Sequence, residues 1–203
     1  MNLAIYMEGG GDGKDSKAAL RQGMEGFLAE IKEACRSRKW HWKLVCCGSR
    51  QEAYKGFRNG RTRDDAGLVV LLVDSEAPVR ETPKGHIASR DRWNLHGVDD
   101  ALVHLMVQIM ETWIVADPNA LEGYYRQGFR RNALPRHPDL ETVTKEDIAT
   151  GLERATTETT KGSYHKIKHA RHLLQLIDPA TVRQRCGHCD RLFTTLLDSI
   201  RRD

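Results

Sequence analysis

The chain has 203 residues, 39% of them hydrophobic and 30% charged, with a formal net charge of +4 at pH 7. That is long enough to bury a real core, too apolar for disorder, and too weakly basic for charge alone to establish a polyanion partner. No apolar run approaches the roughly 20 residues of a membrane span, and the N-terminus lacks the basic-then-apolar order of a signal peptide. A soluble cytoplasmic protein with no membrane partner is expected. The five cysteines, Cys35, Cys46, Cys47, Cys186 and Cys189, are irregularly spaced and fit reduced thiols better than a disulfide framework.

The opening "NLAIYM" predicts a buried strand, and "YMEGGGDGKDSK", Tyr6 to Lys17, follows it like a nucleotide-binding loop. A Walker A loop needs Gly, four residues, then Gly-Lys and a hydroxyl. Aligned on Gly13-Lys14, this loop has Glu8 in place of the first Gly and Asp15 in place of the hydroxyl. Two carboxylates repel a triphosphate unless metal ions stand between them, so a carboxylate-and-metal reading replaces the P-loop.

Next, Ser16 is placed to cap a helix whose apolar residues Leu20, Met24, Phe27, Leu28 and Ile31 recur at helical spacing. "WKLVCC" predicts a second strand, "RQEAYKGF" a short helix and "AGLVVLLVD" a strand apolar on both faces. A βαβαβ order implies a parallel sheet covered by helices. The segment from Ser75 to Leu95, with its prolines and charges, reads as a loop over the sheet's edge. "ALVHLMVQ" is a fourth strand candidate, and "METWIVADPNALEGYY" a helix pair broken at Asp117-Pro118. After Arg126 the pattern is helical. Thr144 and Asp147 resemble a capping box, and a helix from about Tyr164 to Ile177 sets Ile167, Ala170, Leu174 and Ile177 against His165, Lys168, His169 and His172. Asp178-Pro179 ends it, and "LFTTLLDSI" belongs to a last helix. The organisation expected is an α/β core over residues 1–120 and a helical extension over 121–203.

Glu8 follows the first strand at its C-terminal end, the edge where open α/β sheets bind ligands. The third strand ends in "LLVDSE", so alternation points Asp74 and Glu76 the same way. If the strands are neighbours, three carboxylates converge, and hard oxygen ligands select magnesium or manganese. The bland alternative is three ordinary solvated strand ends. A strand ending in Glu-Gly and a later strand ending in Asp-x-Asp resembles the Toprim superfamily, and this chain has Glu8-Gly9 and Asp74-x-Glu76. More narrowly, "EGGGD", "CCGSRQEAY", "LLVDSE", "LMVQIMETWIVADP" and "TKGSYHK" together resemble an uncharacterised bacterial family of small Toprim-like proteins found beside ATPases in phage-defence loci.

The resemblance implies a Rossmannoid parallel sheet of about four strands flanked by helices, with a helical C-terminal part. It further implies a magnesium- or manganese-dependent nuclease working with an ATPase partner. Glu8 would be a general acid or base or a metal ligand, and Asp74 and Glu76 metal ligands. Glu76 departs from the usual second Asp. The alternative is a non-catalytic Toprim-like module that binds nucleic acid or a partner protein.

Glu111, at the end of the fourth predicted strand, is either a further ligand or a first-turn acid favoured by the helix dipole. Two acid-free basic runs are candidate nucleic-acid contacts. "YYRQGFRRNALPRHP" interleaves Arg126, Arg130 and Arg131 with Tyr124, Tyr125 and Phe129, and "KGSYHKIKHARH" offers Lys161, Lys166 and Lys168 near a helix N-terminus. The first is equally readable as a loop that docks on a partner protein, and the second as a solvated face. "CGHC", Cys186 to Cys189, lacks two further ligands at zinc spacing, and packing cysteines are expected.

Overall fold

A computed structural model describes residues 1–63 and 67–202. Ala66, the first residue of the third predicted strand, and Asp203, the last of the extension, lie outside them. Four strands, β1 (Asn2–Met7), β2 (His41–Cys46), β3 (Leu68–Asp74) and β4 (Val103–Met106), form one parallel sheet of order β2-β1-β3-β4. The expected Rossmannoid architecture is therefore present, with β1 and β3 adjacent at its centre. β3 is valine and leucine up to Asp74, and all but its first residue are buried, as a central parallel strand requires.

Two hydrophobic clusters cover the two faces. Leu3, Ile5 and Met7 of β1 pack with α1 (Lys14–Phe27), α2 (Ala29–Ser37) and the C-terminal helices in the larger cluster, which reaches Ile200. Leu71 and Val73 pack on the other face with Ala53, Tyr54 and Phe57 of α3 (Arg50–Arg61) and Ile87 of α4 (Pro83–Asp91). Chain order thus sends the first crossover to one face and the second to the other. The crevice where the strand order reverses lies at the carboxyl ends of β1 and β3.

The remaining helices are α5 (Glu111–Ala116), α6 (Pro118–Tyr125), α7 (Lys145–Thr156), α8 (Lys166–Leu176), α9 (Pro179–Arg185) and α10 (Gly187–Arg202). The break at Asp117-Pro118 is a cap: the Asp117 carboxylate accepts from the N–H groups of Asn119 and Ala120. Thr144 caps α7 and donates to the Asp147 carboxylate. α10 docks on β4 through Arg191, which reaches the Asp100 carboxylate at 2.7 Å and His104 Nδ1 at 3.1 Å. Burial and then that guanidinium hold the His104 pKa down at about 3.

Several local expectations change. Ser16 is not a cap, because α1 starts two residues before it; its hydroxyl instead bonds the carbonyls of Gly10 and Gly13. The segment from Ser75 to Leu95 contains α4, for which Pro83 is the first residue and Thr82 the cap. A proline read as a loop signal is a helix start. The stretch from Arg126 to Thr144 is largely irregular, with two short 3-10 turns. α8 is rotated from the expected stripe: Ile167 is 59% exposed, whereas His169 is buried and its Nδ1 pairs with the Tyr125 hydroxyl. Cys186 and Cys189 are core residues, their thiols pushed up by burial. His188 pairs with Glu141 at 2.6 Å.

Candidate metal centre

The site is built where β1 and β3 end. Glu8 leaves β1 with its N–H bonded to the Leu72 carbonyl, in line with the sheet. Gly9 then turns away with φ 116° and exchanges two backbone hydrogen bonds with Gly48, which fixes the loop after β1 to the loop after β2. A methyl group on Gly48 would meet the Gly11 carbonyl oxygen at 2.4 Å, so this close approach requires glycine. Asp74 is the last residue of β3.

Glu76 reaches the site by a different route from the expected strand alternation. Its φ is 62°, in the left-handed region that non-glycine residues rarely occupy, and its N–H is held by the Gln108 carbonyl at 2.8 Å. The turn brings the Glu76 carboxylate back over the sheet edge. One carboxylate oxygen each from Glu8, Asp74 and Glu76 lie within 4.8 Å of one another.

Protein cations already meet two of these acids. Arg50 lies 3.0 Å from Glu8, contacts the Asp74 carbonyl, and forks onto Asp91 at 2.9 and 2.7 Å. Its guanidinium lies over Trp93, which stacks on Tyr54. Lys145 meets Glu76 at 2.6 Å. Among the described residues Asp74, alone in the cluster, has no ion pair and its Oδ1 has no hydrogen-bond partner; it is 6% exposed. Burial raises its pKa to about 8; Lys166 opposes that, while Glu8, Glu111 and Glu76 add to it. A buried carboxylate oxygen without a partner, facing two further carboxylates, is a donor set suited to a hard divalent cation.

Glu111 stands beside the trio. It opens α5, is buried, and accepts from the Tyr164 hydroxyl at 3.1 Å, with Lys166 Nζ 3.4 Å away. Burial works against the Lys166 charge, but Glu111 and Asp74 outweigh it and hold its pKa above the usual range. Beside the acids lies a cavity of about 540 Å³, bounded by the Gly9 to Gly11 loop on one side and the start of α8 on the other.

The chain belongs to the DUF4276 family. Its model, described as a domain of unknown function, matches residues 7–197, which include every acid and cation of the site. No curated protein and no solved structure matches the chain.

In this DUF4276 chain the expected basic residues are dispersed. Lys166 lines the cavity beside the acids. Arg126 and Lys161 line a separate hollow, where Lys161 lies 4.8 Å from the Tyr124 ring centroid. Arg130 is paired with Glu158 and Arg131 with Glu122, and Lys168 is exposed on α8. Tyr125 and Phe129 stack on each other, with Tyr125 buried. Sequence reasoning missed Arg50, Asp91, Lys145 and Tyr164. A signal existed for two of them: Arg50 and Lys145 each open a helix, the end at which a positive charge is disfavoured.

Proposed function

We propose that this DUF4276 chain is a Toprim-like, magnesium- or manganese-dependent nuclease, acting as an effector with an ATPase partner in phage defence. The observation that carries the reading is the convergence of Glu8, Asp74 and Glu76 around the unpartnered Asp74 oxygen. Glu8, Asp74 and Glu76 would hold a divalent cation there, which would neutralise charge at a phosphate and lower the pKa of a bound water so that hydroxide is available as the nucleophile. Arg50 and the Asp74 N–H both engage Glu8 Oε2, which fixes the carboxylate and leaves Oε1 without a partner among the described residues. Lys166, on the far wall, supplies a positive charge for phosphate oxygens. Glu111 and Tyr164 orient that ammonium from behind.

A second reading is favoured by one observation. Arg50 and Lys145 already neutralise Glu8 and Glu76, as suits a module that binds nucleic acid or a partner without cutting it. The experiment that separates them incubates the chain, alone and with the candidate ATPase, with single- and double-stranded DNA and RNA in magnesium, manganese or chelator. Metal-dependent cleavage lost in Asp74→Asn supports the nuclease. Binding without cleavage, even with the partner present, supports the module.

A further inference from the structure

Resting on the metal-site reading above, we infer that the cavity beside Asp74 is an end-group subsite: it takes the phosphate and base of one terminal nucleotide, not the middle of a strand. At about 540 Å³ it falls within the roughly 300–1,000 Å³ of small-ligand pockets. Its rim is rich in unused donors. Among the described residues the N–H groups of Gly10 and Gly11 have no protein acceptor. α1 and α8, like α2 and α5, begin without a side-chain cap, whereas α3, α4, α6, α7 and α9 are each capped by Ser, Thr or Asp. The start of α8, Lys166 included, and Ser16 from the first turn of α1 line this hollow, and a helix N-terminus with a lysine favours an anion.

Helix ends alone do not name a ligand; Asp74 does. It is more than nine-tenths buried, it lines this cavity, and its Oδ1 has no partner among the described residues. A phosphate beside that carboxylate needs a cation between them, and hard cations are commonly completed by substrate phosphates. Leu20, Met106, Met110 and Ala170, with the Tyr164 ring, supply apolar surface for a sugar and base.

The restriction to an end comes from packing. Behind the cavity α1 and α8 touch almost backbone to backbone: a methyl group on Gly23 would meet Arg171 Cα and its carbonyl oxygen, each at 2.9 Å. One on Gly26 would meet Gln175 Cγ at 2.9 Å. A strand entering beside Asp74 has no passage between these helices and must stop there.

The test follows backbone amide shifts of the full chain with calcium in place of magnesium, to slow turnover. Inorganic phosphate and a nucleoside 5′-monophosphate should shift Gly10, Gly11 and Ile167, and the unphosphorylated nucleoside should not. A linear oligonucleotide with phosphorylated ends should shift the same amides, and a circular single strand should leave them unmoved. Lys166→Met should weaken the monophosphate by roughly ten- to a hundredfold, as loss of a charged hydrogen bond does; amide spectra of the free variant establish that it is folded. Shifts with the monophosphate but not the oligonucleotide support the subsite and assign it to free nucleotides. Equal shifts with circular and linear strands overturn the end-group inference. So do unmoved Gly10 and Gly11 amides while calcium still shifts Asp74, a result that leaves the metal site standing. No shift with calcium at all overturns both.

Discussion

Asp74 carries the site's chemistry because its surroundings oppose its charge. Its folded pKa of about 8 lies well above the ordinary carboxylate range, through burial first and through its acidic neighbours next. A group whose pKa is raised on folding contributes stability that is complete below the unfolded pKa, near 4, and lost as pH rises through the folded one. Metal-free protein should therefore lose stability between pH 4 and pH 8. Asp74→Asn should remove most of that dependence and gain about 1–2 kcal/mol at pH 8, or roughly 2–8 °C in Tm. Magnesium should raise the Tm of the parent chain and leave the variant unmoved; thermal melts in chelator and in magnesium check both. Glu8 and Asp74 were legible in the sequence because they end strands. The convergence of Glu76 was also legible, but not its cause, since alternation along a strand does not foresee a left-handed residue one step past its end.

Among the elements, the site is a meeting of helix starts. Arg50, Lys145 and Lys166 are the first residues of α3, α7 and α8, and Glu111 is the first of α5. A cation at a helix N-terminus is disfavoured by the dipole, and here each cation has a carboxylate of the site opposite it. The helix starts were partly legible from the sequence. The pairings were not, because Arg50 and Asp91 are 41 positions apart and Lys145 and Glu76 are 69 apart, with only the folded sheet to join them. Arg50 is the tightest of these clamps, its side chain 15% exposed between Glu8 and Asp91. Arg50→Gln leaves the largely buried Glu8 without its ion pair and Asp91 with Arg90 alone, which should cost about 2–4 kcal/mol in chelator. Urea unfolding should show a smaller loss in magnesium, because the cation replaces the guanidinium at Glu8 but not at Asp91. An equal loss in both conditions would make Arg50 a fold clamp with no link to the metal site.

In the whole molecule, the helices after residue 120 and the sheet share one core, which runs from Leu3 of β1 through Phe27 of α1 to Phe193 and Ile200 of α10. Phe27 stacks on Trp113 and meets Phe193 edge-on, so one ring joins the first crossover, the middle of the chain and its last helix. The parallel sheet and most helices could be read from periodicity, because strand and helix periods are local properties. The placement of α8 across the mouth of the sheet could not, since Gly23 and Gly26 carry no side chain to mark a contact surface. Yet those glycines let α8 lie against α1 and set Lys166 opposite the acids. Gly23→Ala places a methyl group against the backbone of Arg171, a clash that no rotamer change relieves, and should cost about 1–3 kcal/mol as overpacking does. Because one core spans both parts, unfolding should remain a single transition, with far-UV circular dichroism and tryptophan fluorescence changing together and the variant moving both midpoints equally. Two separated transitions would mean that the segment after residue 120 folds as a unit of its own. Displacement of α8 should also carry Lys166 away from Asp74, so the variant should bind phosphate more weakly than its loss of stability alone accounts for, measured at a temperature where it is fully folded.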